Sequence, residues 1–538
     1  VAQDLITLTI DGQTVSVPRG TSVLAAAKAA GIDIPYYCYH PGLSPVGSCR
    51  MCLVAIEKIP KLQPSCTTPV AEGMVVHTRT PEALANRRAV LEFLLLNHPL
   101  DCPVCDQSGE CELQNYYMEH GAYQPRFNEN KTKRKKAVPI GPHVMLDQER
   151  CILCTRCVRF TAEISRTGEL GVHERGHRSE IDVFPGRLLD NPYSGNVVDI
   201  CPVGALTDRD FRFQCRVWFL GRTPSICPGC SRGCNIEIHF NERYNPRYHD
   251  RRVHRLKPRF NREVNGYWMC DEGRYAYHAI DAADRLTEPM VREEGSWRAV
   301  SWEEAVGKAA AALRAALGTH GPQSVAVLAS PQMTNEELFY LKLLFAGALG
   351  VDDIEYRVPL SRPVYSDDFL ITADKNPNSR GAHILGLAGR GSEALLEDCR
   401  QGRIRFLYVC HHDLTRGFAE EEVSRALAGA EFVAFQGSWR HGTAELARVL
   451  LPAAVYAEKE GTFTNVQGRV QRIHAAVPPL GEALPDLEIL SRLSAALGVS
   501  LPPPDPARIF EAMGERVTAF CGMSYDTVGE SGQLLNPD

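Results

Sequence analysis

Cys151-Ile152-Leu153-Cys154-Thr155-Arg156-Cys157 sets three thiols two residues apart, and Cys201-Pro202 follows at a distance. Closely spaced thiolates favour a soft metal centre, and a clustered triplet with one distant return ligand is the pattern of a [4Fe–4S] cubane. In two-cluster versions a further cysteine follows the triplet closely and serves a second cluster. None follows Cys157, and no second triplet accompanies Cys201. The economical reading is one cubane on Cys151, Cys154, Cys157 and Cys201.

Upstream, His98-Pro99-Leu100-Asp101-Cys102-Pro103-Val104-Cys105 is followed by Cys111. Three cysteines leave one iron of a cubane without a protein ligand. A helix predicted over 81–97, with Pro81 at its start, delivers His98 beside them. His98 is read as the fourth ligand, with water or Asp101 as alternatives and a Cys3His zinc site as the rival occupant. Further upstream, Leu5-Ile6-Thr7-Leu8-Thr9-Ile10, Asp11-Gly12 and Thr14-Val15-Ser16-Val17 predict a hairpin with a type I′ turn, and Ser22 to Lys28 a short helix. Strand, turn, strand and helix on this scale suggest a β-grasp ferredoxin-like domain. It carries Cys38, Cys49, Cys52 and Cys66 beside Pro41-Gly42 and Gly47-Ser48, small residues that let backbone amides approach sulfur. The group follows the logic of a plant-type [2Fe–2S] site, with ten residues in place of four between its first two cysteines.

Downstream, Cys227-x2-Cys230-x3-Cys234 with Cys270 again offers three clustered ligands and a distant return, a third cubane with structural zinc as its rival. The chain has 19 cysteines. The four groups use fifteen of them plus His98, leaving Cys215, Cys399, Cys410 and Cys521 as ordinary buried thiols. A secreted disulfide framework fits poorly in a chain of 538 residues, and Val1-Ala2-Gln3-Asp4 does not open a signal peptide. No apolar run predicts a membrane-spanning helix. The net charge of −6 argues against a nucleic-acid partner. Lys131 to Lys136 reads as an exposed charged loop, and the arginines between Arg243 and Arg262 as domain or subunit contacts.

From about residue 283 the pattern changes. Helices at 302–317 and 335–349 alternate with strands at 324–328, 406–409 and 432–435, which predicts α/β architecture around a mainly parallel sheet. Ile384 to Gly391 does not fit a dinucleotide-binding turn and reads as a turn into a helix. The chain thus divides into a [2Fe–2S] domain (1–80), a His/Cys3 [4Fe–4S] domain (81–122), a ferredoxin-like [4Fe–4S] domain (123–214), a further [4Fe–4S] domain (215–282) and an α/β domain (283–538). Overall this is an α+β and α/β multidomain chain. Four centres in series, with no substrate site in view, point to conduction of electrons between partner subunits.

Cys49-Arg50-Met51-Cys52, His98-x3-Cys102-x2-Cys105-x5-Cys111, the Cys151 to Cys157 triplet and Asp199-Ile200-Cys201-Pro202-Val203-Gly204-Ala205-Leu206 resemble the large iron–sulfur subunit of bacterial respiratory NADH:quinone oxidoreductase. The group from Cys227 to Cys270 has the spacing that opens molybdopterin oxidoreductases, and Leu451 to Asn465 with Gly468-Arg469 resembles the close of their α/β domain. The resemblance implies one [2Fe–2S] and three [4Fe–4S] clusters. It implies a flavoprotein partner that oxidises NADH, quinone-side iron–sulfur subunits, and indirect coupling to membrane-arm subunits that pump ions. The location it implies is peripheral, on the cytoplasmic face of the inner membrane. The α/β region looks short for a molybdopterin domain. On sequence, the stretch from Leu349 to Phe406 lacks a strand–turn unit for cofactor phosphates, and no cysteine follows Leu328-Ala329-Ser330-Pro331 as a molybdenum ligand. No functional molybdopterin is expected. The rival families are the subunits of NAD-linked formate dehydrogenases and soluble hydrogenases.

Overall fold

The computed structural model describes residues 4–242, 251–361 and 364–537. The first residues, Val1 to Gln3, and the arginine-rich stretch from position 243 to 250 lie outside the described residues. The chain divides into two compact units, Val1–Leu220 and Gly221–Asp538.

In the first unit, β1 (Leu5–Ile10) and β2 (Gln13–Pro18) pair antiparallel with Ile10 opposite Gln13. Asp11 and Gly12 have φ of 46° and 83°, the two left-handed residues that a type I′ turn needs. Ile6, Leu8 and Ile10 are buried, so the strand's alternation faces the core. Helix α1 (Val23–Ala29) starts where the Ser22 side chain accepts from the Ala25 amide at 3.2 Å. Strands β3 (Leu53–Ile56), β4 (Ile59–Pro64) and β5 (Val75–His77) complete a sheet of order β2-β1-β5-β3-β4, in which β1 and β5 run parallel. Helix α2 (Pro81–Leu95) has Pro81 in its first turn and Thr80 as its cap. After α3 (Glu112–His120), small sheets carry the chain to Leu220.

The charged run from Lys131 is an exposed loop, as expected, but three of its cations are used internally. Lys131 donates to the carbonyls of Leu95 and Leu96, closing the end of α2. Arg134 donates to the carbonyls of Ser179 and His177, and Lys136 meets Asp101 and Glu149 at 2.6 and 2.7 Å.

The second unit opens with an antiparallel sheet that includes Asn235–Asn241 and Val253–Pro258. Its main sheet has seven strands, and Phe432–Gly437, Phe406–Cys410, Val325–Leu328 and Ile354–Glu355 run parallel in that order. Successive strand residues face opposite layers. Val325, Val327, Phe406 and Tyr408 pack toward helices Trp302–His320, Asn335–Lys342 and Asp486–Leu497, whereas Ala326, Leu328, Leu407 and Val409 pack toward Ser392–Arg400 and Glu420–Leu427. This confirms the α/β reading. The stretch between Leu349 and Phe406 does hold one short strand, Ile354–Glu355, because its two residues extend the ladder of Val327 and Leu328. Gly391 precedes helix Ser392–Arg400 with φ of 95°, so that glycine segment is a turn into a helix.

Buried charges tie this unit together. Lys459 lies 2.9 Å from Glu337 and 2.6 Å from Asp486, and Arg285 lies 2.9 Å from Glu458. His239 is fully buried, and its Nδ1 accepts from Arg255 Nε at 3.1 Å, which requires the neutral ring. Burial pushes its pKa down to about 4, with Glu237 partly opposing. The unfolded ring, near 6.5, takes up a proton first. Stability from this residue is therefore full above pH 6.5 and is lost as pH falls toward 4. Unfolding of the second unit, followed by urea titration at pH 7 and pH 4, is expected to lose about 2–3 kcal/mol through this residue. A His239→Gln variant should show a shallower pH dependence; equal slopes would refute the assignment.

Candidate metal centres

Cys38 follows Tyr37 in the loop after α1, and β3 begins just after Cys52. The Cys38 sulfur is in hydrogen-bond contact with Cys49 and Cys66, which together hold its pKa far below the ordinary thiol range. Cys52 is in turn in contact with Cys66, which draws its pKa down to about 7. Cys49, Cys38, Cys66 and Cys52 thus follow one another as a chain of neighbouring sulfurs. Arg50 takes the left-handed conformation, φ 56°, and its carbonyl accepts from Asn86 of α2 at 2.8 Å, which pins the loop.

His98, Cys102, Cys105 and Cys111 line one cavity with Arg150 and Gly204. The helix places His98 there, as its position after α2 predicts. Burial, aided by the charge of Arg150, lowers the His98 pKa to about 4, so the ring is neutral and keeps a lone pair for a metal. Asp101 also lines the cavity, but it accepts from Lys136 at 2.6 Å and from Arg150 at 3.0 Å.

Cys151, Cys154, Cys157 and Cys201 line a second cavity with apolar neighbours Leu146, Ile181 and Val203. Leu153 and Thr155 sit between the thiols at φ of 54° and 58°. These turns direct the thiols inward, and the Leu153 amide donates to Cys151 Sγ at 3.4 Å. Burial pushes the thiols of Cys151 and Cys154 up to about 12, so thiolates here need a compensating cation.

Cys227, Cys230, Cys234 and Cys270 line a cavity of their own in the second unit. A Cβ on Gly273 would stand 2.8 Å from Cys227 Sγ, so glycine is required for the close approach. The end of the tail stretch quoted above and the residues after it clasp this loop: Asn465 donates to the Arg232 carbonyl at 3.2 Å, the Val466 amide to the Ser231 carbonyl at 2.8 Å, and Gln471 to the Gly233 carbonyl at 3.0 Å. Among the described residues, no three His, Cys, Asp or Glu side chains meet at single-ion distance. An iron–sulfur cluster differs from a single ion in that its ligands stand around a multi-atom core.

The first three groups are physically joined. Arg159 Nη2 donates to the carbonyl of Cys38 and, at 3.3 Å, to that of Cys154, while its Nη1 reaches the Ser44 carbonyl at 2.5 Å. The Glu112 amide, next to Cys111, donates to the Pro202 carbonyl at 3.0 Å. A Cβ on Gly204 would stand 2.3 Å from Cys105 Sγ, so the loop after Cys201 abuts the second group. Of the four unassigned cysteines, Cys215, Cys399 and Cys410 are buried. Cys521 is exposed, correcting the expectation, because it follows a surface turn Thr518–Phe520 and precedes Gly522 at φ 73°.

Comparison with known families follows the same order along the chain. Residues 3–81 match a 2Fe-2S iron-sulfur cluster binding domain, and 87–126 the NADH-ubiquinone oxidoreductase-G iron-sulfur binding region. Residues 141–207 match the ferredoxin-like domain of NADH-quinone oxidoreductase subunit 3. Residues 221–282 match the molybdopterin oxidoreductase Fe4S4 domain, and 285–376 and 371–496 molybdopterin oxidoreductase itself. The mitochondrial NADH-ubiquinone oxidoreductase 78 kDa subunit of Neurospora crassa is 32% identical over 97% of this chain and 84% of its own length. The G subunit of NADH-quinone oxidoreductase from Rickettsia conorii is 31% identical over 92% of this chain and 88% of its own. Its counterpart from Streptomyces coelicolor is 42% identical over 66% of this chain, a match that spans 41% of that relative's length. With iron–sulfur domains in this order and near-full-length relatives at this identity, the chain belongs to the family of NADH-quinone oxidoreductase G subunits.

Proposed function

We propose that the chain conducts electrons within an NADH:quinone oxidoreductase, taking them from a flavoprotein partner that oxidises NADH and passing them toward quinone-side iron–sulfur subunits. Cys38, Cys49, Cys52 and Cys66 hold a [2Fe–2S] cluster. His98, Cys102, Cys105 and Cys111 hold one [4Fe–4S] cluster, Cys151, Cys154, Cys157 and Cys201 a second, and Cys227, Cys230, Cys234 and Cys270 a third. Such clusters, when bound, take up and release single electrons with little change of shape. The protein's part is to fix spacing and exclude water. Arg159 holds the first and third loops against each other, and Gly204 lets the third loop touch the second group. The neutral ring of His98 completes a set that Asp101 cannot, since that carboxylate is already paired with two cations.

The observation that carries this reading is the convergence of three donor sets within one unit, each lining a common pocket or in mutual sulfur contact. The α/β domain is a scaffold without a functional molybdenum site, because Ala329-Ser330-Pro331 offers no cysteine after its first parallel strand. The complex lies at the cytoplasmic face of the membrane and couples transfer to proton translocation in its membrane subunits. Among the described residues, no helix of this chain is long and apolar enough to cross a membrane.

Low-temperature EPR of the reduced protein tests this, with one binuclear and three cubane signals expected. Zinc in place of iron, or fewer centres, would overturn it. A His98→Cys variant should retain its cubane with an altered spectrum and potential; an unaltered spectrum would exclude His98 as a ligand.

A further inference from the structure

Arg159 and Glu163 grip one residue of the loop between Cys38 and Cys49. They stand four apart on the helical segment after Cys157, Arg156–Arg159 continued by Phe160–Ile164, and so share a face. Arg159 Nη1 donates to the Ser44 carbonyl at 2.5 Å, and the Glu163 carboxylate accepts from the Ser44 amide at 2.9 Å. The same guanidinium donates through Nη2 to the carbonyl of Cys38 and, at 3.3 Å, to that of Cys154. One cation therefore touches a cysteine of the first group and a cysteine of the third.

Its charge is not answered by a carboxylate. Arg150, beside the second group, lies 3.0 Å from Asp101 and 3.3 Å from Asp147, and Arg156 faces Glu112 at 3.5 Å. Arg159 forms no such ion pair among the described residues, and its partners are three backbone carbonyls. The residue is half-buried, and its Nε is closed off from solvent. Covalent geometry keeps a cysteine's carbonyl oxygen within about 5 Å of its own sulfur, so the guanidinium lies within about 8 Å of the sulfurs of both Cys38 and Cys154.

We propose that Arg159 is a charge shared by two centres: it raises the reduction potentials of the cluster at Cys38 and of the cubane at Cys154 together, and so keeps the two in step. The inference rests on the reading of Cys38 and Cys154 as cluster ligands. Reduction adds one negative charge to a cluster, and a fixed cation nearby stabilises that form. At about 8 Å and an effective dielectric of about 20, a unit charge favours the reduced form by a factor of about thirty. The partial exposure of Arg159 screens this to about tenfold.

The test uses the full chain with its clusters, as wild type, Arg159→Gln and Arg159→Lys, in redox titrations followed by EPR. In Arg159→Gln the binuclear signal and the cubane signal of Cys151, Cys154, Cys157 and Cys201 should each lose about tenfold in reduced-to-oxidised ratio at fixed ambient potential, about 59 mV downward for one electron. The cubane of His98 should move less than either. Arg159→Lys keeps the charge and should recover most of the loss at both centres. The magnetic interaction between the two reduced centres reports their spacing and should be the same in all three proteins. Should Arg159→Gln fail to load its clusters, Ser44→Asp replaces it. Ser44 is exposed and is gripped through its backbone, so a carboxylate there offsets the guanidinium without breaking the grip, and both potentials should again fall. Unchanged potentials, a fall at one centre only, a fall in Arg159→Lys as large as in Arg159→Gln, or a fall that comes with an altered magnetic interaction overturns the proposal. A wild type without a binuclear signal, or without a cubane that responds to Cys154→Ser, fails the ligand reading itself and takes the inference with it.

Discussion

Gly204→Ala is expected to empty the centre of His98, Cys102, Cys105 and Cys111. The added methyl would stand 2.3 Å from Cys105 Sγ and 3.1 Å from Gln107 Cβ, well inside van der Waals contact. Gly204 does not lie in the left-handed region, so the backbone accepts alanine and the clash with sulfur is the whole effect. A metal-bound thiolate cannot swing aside, and the Gly204 loop is held through Cys201 on its other side. Iron content should fall by about the four irons of one cubane, with loss of that EPR signal. Gly307→Ala is the control. It lies in helix Trp302–His320, where a Cβ meets nothing within 4 Å, and should gain up to about 1 kcal/mol. Full iron content in Gly204→Ala would show that the second and third groups are farther apart in the loaded protein.

Lys459→Met should destabilise the second unit by about 3–5 kcal/mol. The ammonium is the shared partner of Glu337 and Asp486, and the three residues are 4%, 1% and 0% exposed. Its removal leaves the two buried carboxyl groups without their shared cation, with His411 at 2.7 Å and Gln436 at 2.6 Å from Asp486 still in place. Adding Glu337→Gln removes one charge while keeping an oxygen for the Thr334 amide, which now bonds Glu337 at 2.8 Å. The double variant should therefore recover part of the loss in urea unfolding. No recovery would mean that Lys459 acts by packing rather than by charge.

Sequence spacing was enough to foresee which candidate donors share a cavity in the groups of Cys151 and Cys227, because three of the four lie on one short loop and chain geometry forces those together. Hairpin, caps and parallel sheet were legible for a similar reason, since Asp11-Gly12, Ser22 and the alternation around 325–328 act locally. What escaped was everything made between loops distant in sequence. Arg159 looks like any helical arginine until the Cys38 loop folds over it. Gly204 looks like a turn glycine until Cys105 is beside it. The clasp from Asn465, Val466 and Gln471 lies at and just beyond a stretch noted only for its resemblance, because nothing in its composition says which loop it covers. Cys521 was misplaced since a lone cysteine carries no pattern, and only the turn around it decides its exposure. The charged loop was half right: a run of cations predicts solvent contact but not that Lys131 and Arg134 would close the ends of other elements.

Arg50, Leu153 and Thr155 keep left-handed backbones although none is glycine. For such residues the conformation costs about 1–2 kcal/mol apiece. Were a cluster held there and then lost, the surrounding hydrogen bonds would have to oppose their return to ordinary angles, and each return would turn neighbouring thiols away from one another. An emptied loop therefore drifts from the shape that would readmit iron.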